Sequence, residues 1–342
     1  MADLSNVPLS VLDLAPVGAG RTSAQAVRDT IELSRHAERL GYLRYWLAEH
    51  HSMPGIASSA PAVLIGAVAA ATTTIRVGSG GVMLPNHPPL VVAEQFGTLE
   101  ALHPGRIDLG LGRAPGTDPN TARALRRSAD PLSADDFPQQ LGELLAFFGG
   151  DFPADHPYAP IVATPGRGNQ PAMWLLGSSG YSAQVAGILG LPFAFAHHFS
   201  AQNTLPALRL YRERFQPSEV LKEPYALVAA SVVGADNDER AEYLAAPLAL
   251  AMMSLRRGRP IAFPTPEEAA AYDYTAEDRA FIENLTSHYI VGGPSTVRAG
   301  LDDLLATTGA DELMVTTNLS ALSDRVRSLE VIAALRDVSQ PV

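Results

Sequence analysis

Ile107-Asp108-Leu109-Gly110-Leu111-Gly112-Arg113-Ala114-Pro115-Gly116 is an apolar run that becomes glycine-rich at its end, and it first suggests the opening of a dinucleotide fold. Such a loop needs a helix that opens on the last glycine, so that the helix N-terminus meets the pyrophosphate, and an acidic strand end about 20 residues on for the ribose. Pro115, Gly116 and Pro119 follow here instead, and no such acidic strand end appears. The stretch is therefore read as a buried strand whose loop carries Arg113 just past the strand end. There a guanidinium fork can grip a phosphate through two parallel hydrogen bonds. A surface salt bridge is the plainer alternative.

Outward from this strand, short β-rich apolar runs alternate with helical patterns, the mark of βα units and a parallel sheet. Strands are expected near 9–14, 45–47, 75–79, 107–111, 173–176, 193–195, 225–233 and 312–316. Helices are expected near 24–40, 60–72, 89–102, 138–148, 182–189, 203–215, 236–253 and 320–335, one after each strand. Gly41 suits the left-handed position that ends the first helix, and Asp236 with Glu239 has capping-box spacing at the start of the seventh. Eight βα units fit a closed barrel, but a doubly wound open sheet would give nearly the same string. The chain, 1–342, reads as one domain with insertions near 149–170 and 255–293. Thr265-Pro266-Glu267-Glu268 starts a helix inside the second insertion, which is expected to form a lid.

Composition narrows the function classes. Apolar residues make up 46% and charged residues 18%, enough for an extended core. A net charge of −11 without an acidic tail argues against nucleic acid as a partner. With no cysteine, disulfides, thiolate metal sites and a cysteine nucleophile are excluded. Met1 to Pro8 does not read as a signal peptide, and the run 60–71 is too short to span a bilayer, so a soluble, cytoplasmic protein without membrane attachment is expected.

Three strand ends carry candidate chemistry. Leu47-Ala48-Glu49-His50-His51 puts a carboxylate and two imidazoles where barrels hold catalytic groups, although satisfied polar loop residues would read the same. A metal would require His87, His103, or His197 and His198 to converge on this pair, and no metal site is assigned. Gly78-Ser79-Gly80-Gly81 allows a flat ligand to approach the backbone, or marks a simple bulge. Gly177-Ser178-Ser179-Gly180-Tyr181-Ser182 runs into a helix and offers hydroxyls, free N–H groups and the positive dipole end, either for an anion or as an ordinary serine cap.

These residues together resemble the bacterial luciferase-like flavin-dependent oxidoreductases. The resemblance runs from Pro8 to about Val338 and rests on Trp46 to His51, Val77 to Pro85, Gly105 to Gly112, Leu176 to Ser179, and Val291-Gly292-Gly293-Pro294. It implies a (β/α)8 TIM barrel with a cis peptide between Gly80 and Gly81. It further implies an FMN phosphate at Arg113, Ser178, Ser179, Gly180 and Ser182, and His50 as acid or base near the flavin, with Glu49 orienting or charging it. The implied reaction is a monooxygenation of a small organic substrate by reduced FMN and dioxygen, the reduced flavin being supplied by a separate flavin reductase. A deazaflavin-dependent dehydrogenase, a non-catalytic flavin-binding barrel and, more remotely, a metal-dependent barrel hydrolase are the alternatives. The helix 60–72, apolar on nearly every face, is expected to join two subunits in a homodimer.

Overall fold

A computed structural model describes residues 4–126, 135–150 and 152–336. The ends of the span 1–342 lie outside the described residues. Among the described residues there are nine strands: β1 Leu9–Asp13, β2 Arg44–Leu47, β3 Arg76–Met83, β4 Ile107–Gly112, β5 Ala172–Gly177, β6 Phe193–Ala196, β7 Ala226–Gly234, β8 Ile290–Gly292 and β9 Glu312–Thr316. The helices are α1 Ser23–Arg39, α2 Pro61–Ala71, α3 Pro89–Leu102, α4 Pro119–Arg126, α5 Phe137–Phe148, α6 Gly180–Leu189, α7 Thr204–Arg214, α8 Asp238–Arg256, α9 Pro266–Ala271, α10 Ala276–Thr286, α11 Pro294–Thr308 and α12 Leu322–Ala334.

Eight strands close a parallel barrel in the order β1 to β7 and then β9, which pairs back onto β1 through Leu9↔Leu313 and Val11↔Val315. Closure decides against the open sheet. Strands β1, β4, β7 and β9 are buried at every position, because one face meets helices and the other the barrel interior. Val11, Val77, Leu109 and Val315 belong to the main core between strands and helices, whereas Leu12, Trp46, Trp174 and Met314 fill the interior.

The eight expected strands are all present, and local chemistry explains the helix ends. Thr22 caps α1 in a capping box with Gln25, and Gly41 has φ +77° just past its end. The start of α8 departs from expectation: Asn237 is the cap and accepts from the Arg240 N–H, so Asp236 lies outside the helix.

The insertions and the helix beyond them complete the barrel as follows. The segment 255–293 contains a three-residue strand, β8, which pairs Val232↔Ile290 with the top of β7 after β7 has left the barrel ladder. The helix that covers the barrel between β7 and β9 is α11, which the sequence reading did not place. Its Val297, Leu301, Leu304 and Leu305 enter the main core, while the buried side chains of α8 form separate clusters with the insertion. The insertion reaches the barrel mouth, where Phe263 exchanges backbone hydrogen bonds with Val17 and Ala19 of the loop after β1, at 2.9 and 2.7 Å. Residues 149–170 follow α5 and precede β5, so they sit at the strands' N-terminal end, away from the catalytic face. At the catalytic face β4 is followed by α4.

The N-terminal end of the barrel is plugged by charge. Arg44 bridges Asp108 at 2.9 Å and Glu312 at 3.0 Å, and Arg76 reaches Asp108 at 2.6 Å. Trp46 Nε1 donates to Asp108 at 2.9 Å, and the Tyr225 hydroxyl donates to Glu312 at 2.9 Å. These groups satisfy one another's hydrogen bonds, the condition under which buried charge is tolerated. They seal one end of the barrel, and the open space lies at the other.

Candidate active site at the barrel mouth

A cavity of about 1090 Å³ opens at the C-terminal ends of the strands. Pockets for one drug-sized ligand run to roughly 300–1,000 Å³, so this one has room for a tricyclic ligand. Its floor includes Leu12, Trp46 and Met314. Trp46 packs edge-on against Trp174 at 5.2 Å between ring centroids, which fixes the indole above the ionic plug.

One wall is backbone. Gly80 and Gly81 line the cavity, and the peptide between them is cis. A Cβ on Gly81 would lie 2.8 Å from the Gly110 carbonyl oxygen, so the close pairing of β3 with β4 excludes a side chain there.

A second wall offers anion donors. Arg113, Ser178, Ser179 and Ser182 all line the cavity, delivered by the ends of β4 and β5 and the first turn of α6. Ser179 occupies the N-cap of α6 without making a side-chain cap bond, which leaves its hydroxyl available. The Arg113 guanidinium lies 4.2 Å from the centroid of the Tyr181 ring and has no ion-pair partner among the described residues. Stacking aims the fork without neutralising it. A guanidinium, serine hydroxyls and a helix N-terminus together form a donor set suited to a phosphate dianion. Gly180 opens the helix but is not part of the cavity wall.

His50 lines the cavity opposite. Its Nδ1 lies 3.4 Å from the Gly116 carbonyl, and its backbone N–H donates to Ser58 O at 2.9 Å, so the loops after β2 and β4 both fix it. A ring that donates from Nδ1 leaves Nε2 as the acceptor. Burial holds its pKa below the usual histidine value.

Glu49 acts on His50 through its charge, which raises the His50 pKa against the larger lowering by burial, and not through a hydrogen bond. It is fully buried, does not line the cavity and makes no hydrogen bond to His50. Its Oε1 faces His51 Nε2 at 3.0 Å, His87 Nε2 at 2.9 Å and Asn86 Nδ2 at 3.2 Å, and Oε2 accepts the Met83 N–H at 3.0 Å. Burial alone would raise its pKa, but the hydrogen bonds from His51, His87 and Met83 outweigh that and hold it at about 2. Glu49 thus ties the end of β2 to the segment that follows Gly80 and Gly81. His51 and His87 do converge, but on a carboxylate. Among the described residues no group of three or more His, Asp or Glu side chains could hold a metal ion.

Two cavity residues escaped the sequence reading as functional groups, His198 after β6 and Arg256 at the end of α8. His198 Nδ1 lies 2.9 Å from the Ala229 carbonyl, and burial lowers its pKa to about 4. The paired histidines at 197 and 198 were a visible signal, weighed only as metal ligands.

A model of the luciferase-like monooxygenase family matches residues 7–312, and the chain belongs to that family. An Escherichia coli (strain K12) protein named luciferase-like monooxygenase is 46% identical over 97% of both chains. The N-acetyl-S-alkylcysteine monooxygenase of Bacillus subtilis is 34% identical over 96% of this chain and 97% of its own. The crystal structure of apo-MsnO8 superposes with a TM-score of 0.88 at 38% identity, covering 98% of this chain and 100% of that one.

Proposed function

We propose that this protein is a monooxygenase that uses reduced FMN and dioxygen to oxidise a small organic substrate, with the reduced flavin supplied by a separate flavin reductase. The observation that carries this reading is the convergence, in one cavity, of Arg113, which has no ion-pair partner among the described residues, the serines at the α6 N-terminus, the bare Gly80-Gly81 backbone and a neutral His50. Solved structures of the same fold hold FMN in 3,6-diketocamphane monooxygenase, at TM-score 0.70, and an F420-acetone adduct in a secondary alcohol dehydrogenase, at TM-score 0.64. At 20% and 14% identity these likenesses concern the fold.

Bound in this cavity, reduced FMN would supply the electrons that activate dioxygen. Arg113, Ser178, Ser179 and Ser182 would hold its phosphate, and the Gly80-Gly81 backbone would support its ring. The protein's own contributions are then binding, water exclusion by the apolar floor, and a proton acceptor at His50 Nε2. Photoreduced FMN mixed with the protein in air is expected to reoxidise more slowly than free reduced FMN. Reoxidation at the free rate contradicts the oxygenase and leaves a passive binder. Selective binding of reduced F420 would move the assignment to the dehydrogenase.

A homodimer through α2 belongs to the same proposal. Leu64, Ile65, Val68 and Ala69 face the core, yet Val63 remains 72% exposed beside exposed Ala67 and Ala70. Light scattering at micromolar concentration should return twice the chain mass of 36.2 kDa, and a monomer would refute the pairing.

A further inference from the structure

The loop that follows β4, residues 113–118, forms neither helix nor strand, yet it carries Arg113 and supplies the Gly116 carbonyl that faces His50 Nδ1. Its position therefore depends on what its backbone groups bind outside the loop. At the far end, Thr117 Oγ1 donates to His51 O at 2.8 Å and the His51 N–H donates to Gly116 O at 3.3 Å, which ties the loop to the end of β2. Gly116 has φ +66°, and a Cβ on it would lie 2.8 Å from the Glu49 carbonyl oxygen, so the two loops meet with no room for a side chain. Nearer Arg113 the tie is the Asn86 side chain, which belongs to the turn Leu84–Asn86 after β3. Its Nδ2 donates to Pro115 O at 3.0 Å and to Glu49 Oε1 at 3.2 Å, and its Oδ1 accepts the Nε–H of Arg126 in α4 at 3.0 Å. Those partners settle which end of the amide is nitrogen, because a carbonyl and a carboxylate only accept and a guanidinium only donates.

We infer that Asn86 is a positioning residue, which through Pro115 and Gly116 sets both the direction of the Arg113 guanidinium and the proton-bearing nitrogen of His50, the part concerning Arg113 resting on the FMN reading above. Pro115 lies two residues from Arg113 and next to Gly116, so a shift of its carbonyl carries to both. The distance of 3.4 Å from His50 Nδ1 to Gly116 O leaves little margin. About 0.2 Å more takes the contact out of hydrogen-bond range. The Nδ1–H tautomer then loses the acceptor that selects it, and Nε2 is no longer held as the acceptor. What the loop takes from position 86 is a pair of N–H groups rather than volume. Aspartate has nearly the same shape but would set an acceptor against the Pro115 carbonyl and the Glu49 carboxylate.

The test compares the wild type, N86A and N86D as full-length proteins. NMR of isotopically labelled histidine at about pH 8, where the ring is neutral, reports the tautomer of His50, whose signals are assigned by their loss in H50A. The wild type should show the proton on Nδ1, and both variants a mixture of the two tautomers. FMN affinity, read from quenching of flavin fluorescence, should fall about tenfold in N86A, equivalent to about 1.4 kcal/mol, and further in N86D. A wild-type proton on Nε2, an unmixed Nδ1–H tautomer in either variant, or wild-type FMN affinity in either overturns the inference. Failure of both variants to fold, judged by thermal unfolding, also overturns it, by making Asn86 a residue of stability alone. Failure of FMN to bind the wild-type protein is a separate result, which removes the monooxygenase reading and leaves the His50 tautomer to decide the role of Asn86.

Discussion

His50→Ala is expected to bind FMN as the wild type does and to lose about 10²- to 10⁴-fold of its oxygenation rate, the usual contribution of a positioned acid or base. The flavin phosphate would be held by Arg113 and the serines and not by His50, so affinity and turnover should separate. The hydrogen bond to the Gly116 carbonyl keeps the proton on Nδ1 and presents Nε2 as the acceptor. Because burial lowers the pKa of His50, the ring is neutral at pH 7 and becomes charged only as the pH falls below the ordinary histidine range. The acid limb of the wild-type rate profile should therefore lie below about pH 6.5 and vanish in His50→Ala. Single-turnover oxidation with photoreduced FMN checks both points. Unchanged turnover removes His50 from the chemistry.

Asp108→Ala is the substitution with the largest expected effect on stability. It removes the shared acceptor of Arg44, Arg76 and Trp46 Nε1 while the two guanidiniums remain, only 11% and 25% exposed. Breaking a buried pair from one side costs about 3–5 kcal/mol, because the remaining charge is left without compensation. Arg44 keeps Glu312 and Arg76 keeps carbonyl contacts to Gly105 and Ile107, which places the cost toward the lower end. Trp46 also forms part of the cavity floor, so the loss of its acceptor should weaken FMN binding from the far end of the barrel. Asp108→Asn, which retains an acceptor for the indole, should cost less. Urea denaturation measures both variants, and a change below about 1 kcal/mol for the alanine would refute the plug as a stabilising element.

Much of this architecture was legible because it is local. Strands buried on both faces read as continuous apolar runs, and the cis peptide at Gly80-Gly81 followed from the family resemblance. The second half of the barrel was harder for equally physical reasons. Strand β8 has three residues, too few for any period to show. Helix α11 starts on Gly293 and Pro294, a glycine cap with proline in the first turn, which also reads as a turn. Both α8 and α11 carry apolar faces, and nothing in either face says which one meets the barrel. The site divides in the same way. His50 and Arg113 follow strand ends and could be placed from that alone. Glu49 meets partners 34 to 38 positions away, and His198 meets the Ala229 carbonyl of β7, so their places depend on closure of the barrel.

The most direct measurement is a crystal structure with FMN soaked into the protein. Phosphate density is expected within hydrogen-bond distance of the Arg113 guanidinium and the Ser178, Ser179 and Ser182 hydroxyls, with the ring against Gly80 and Gly81 and facing His50. Phosphate density on Arg256, or a flavin seated outside the barrel mouth, would contradict it.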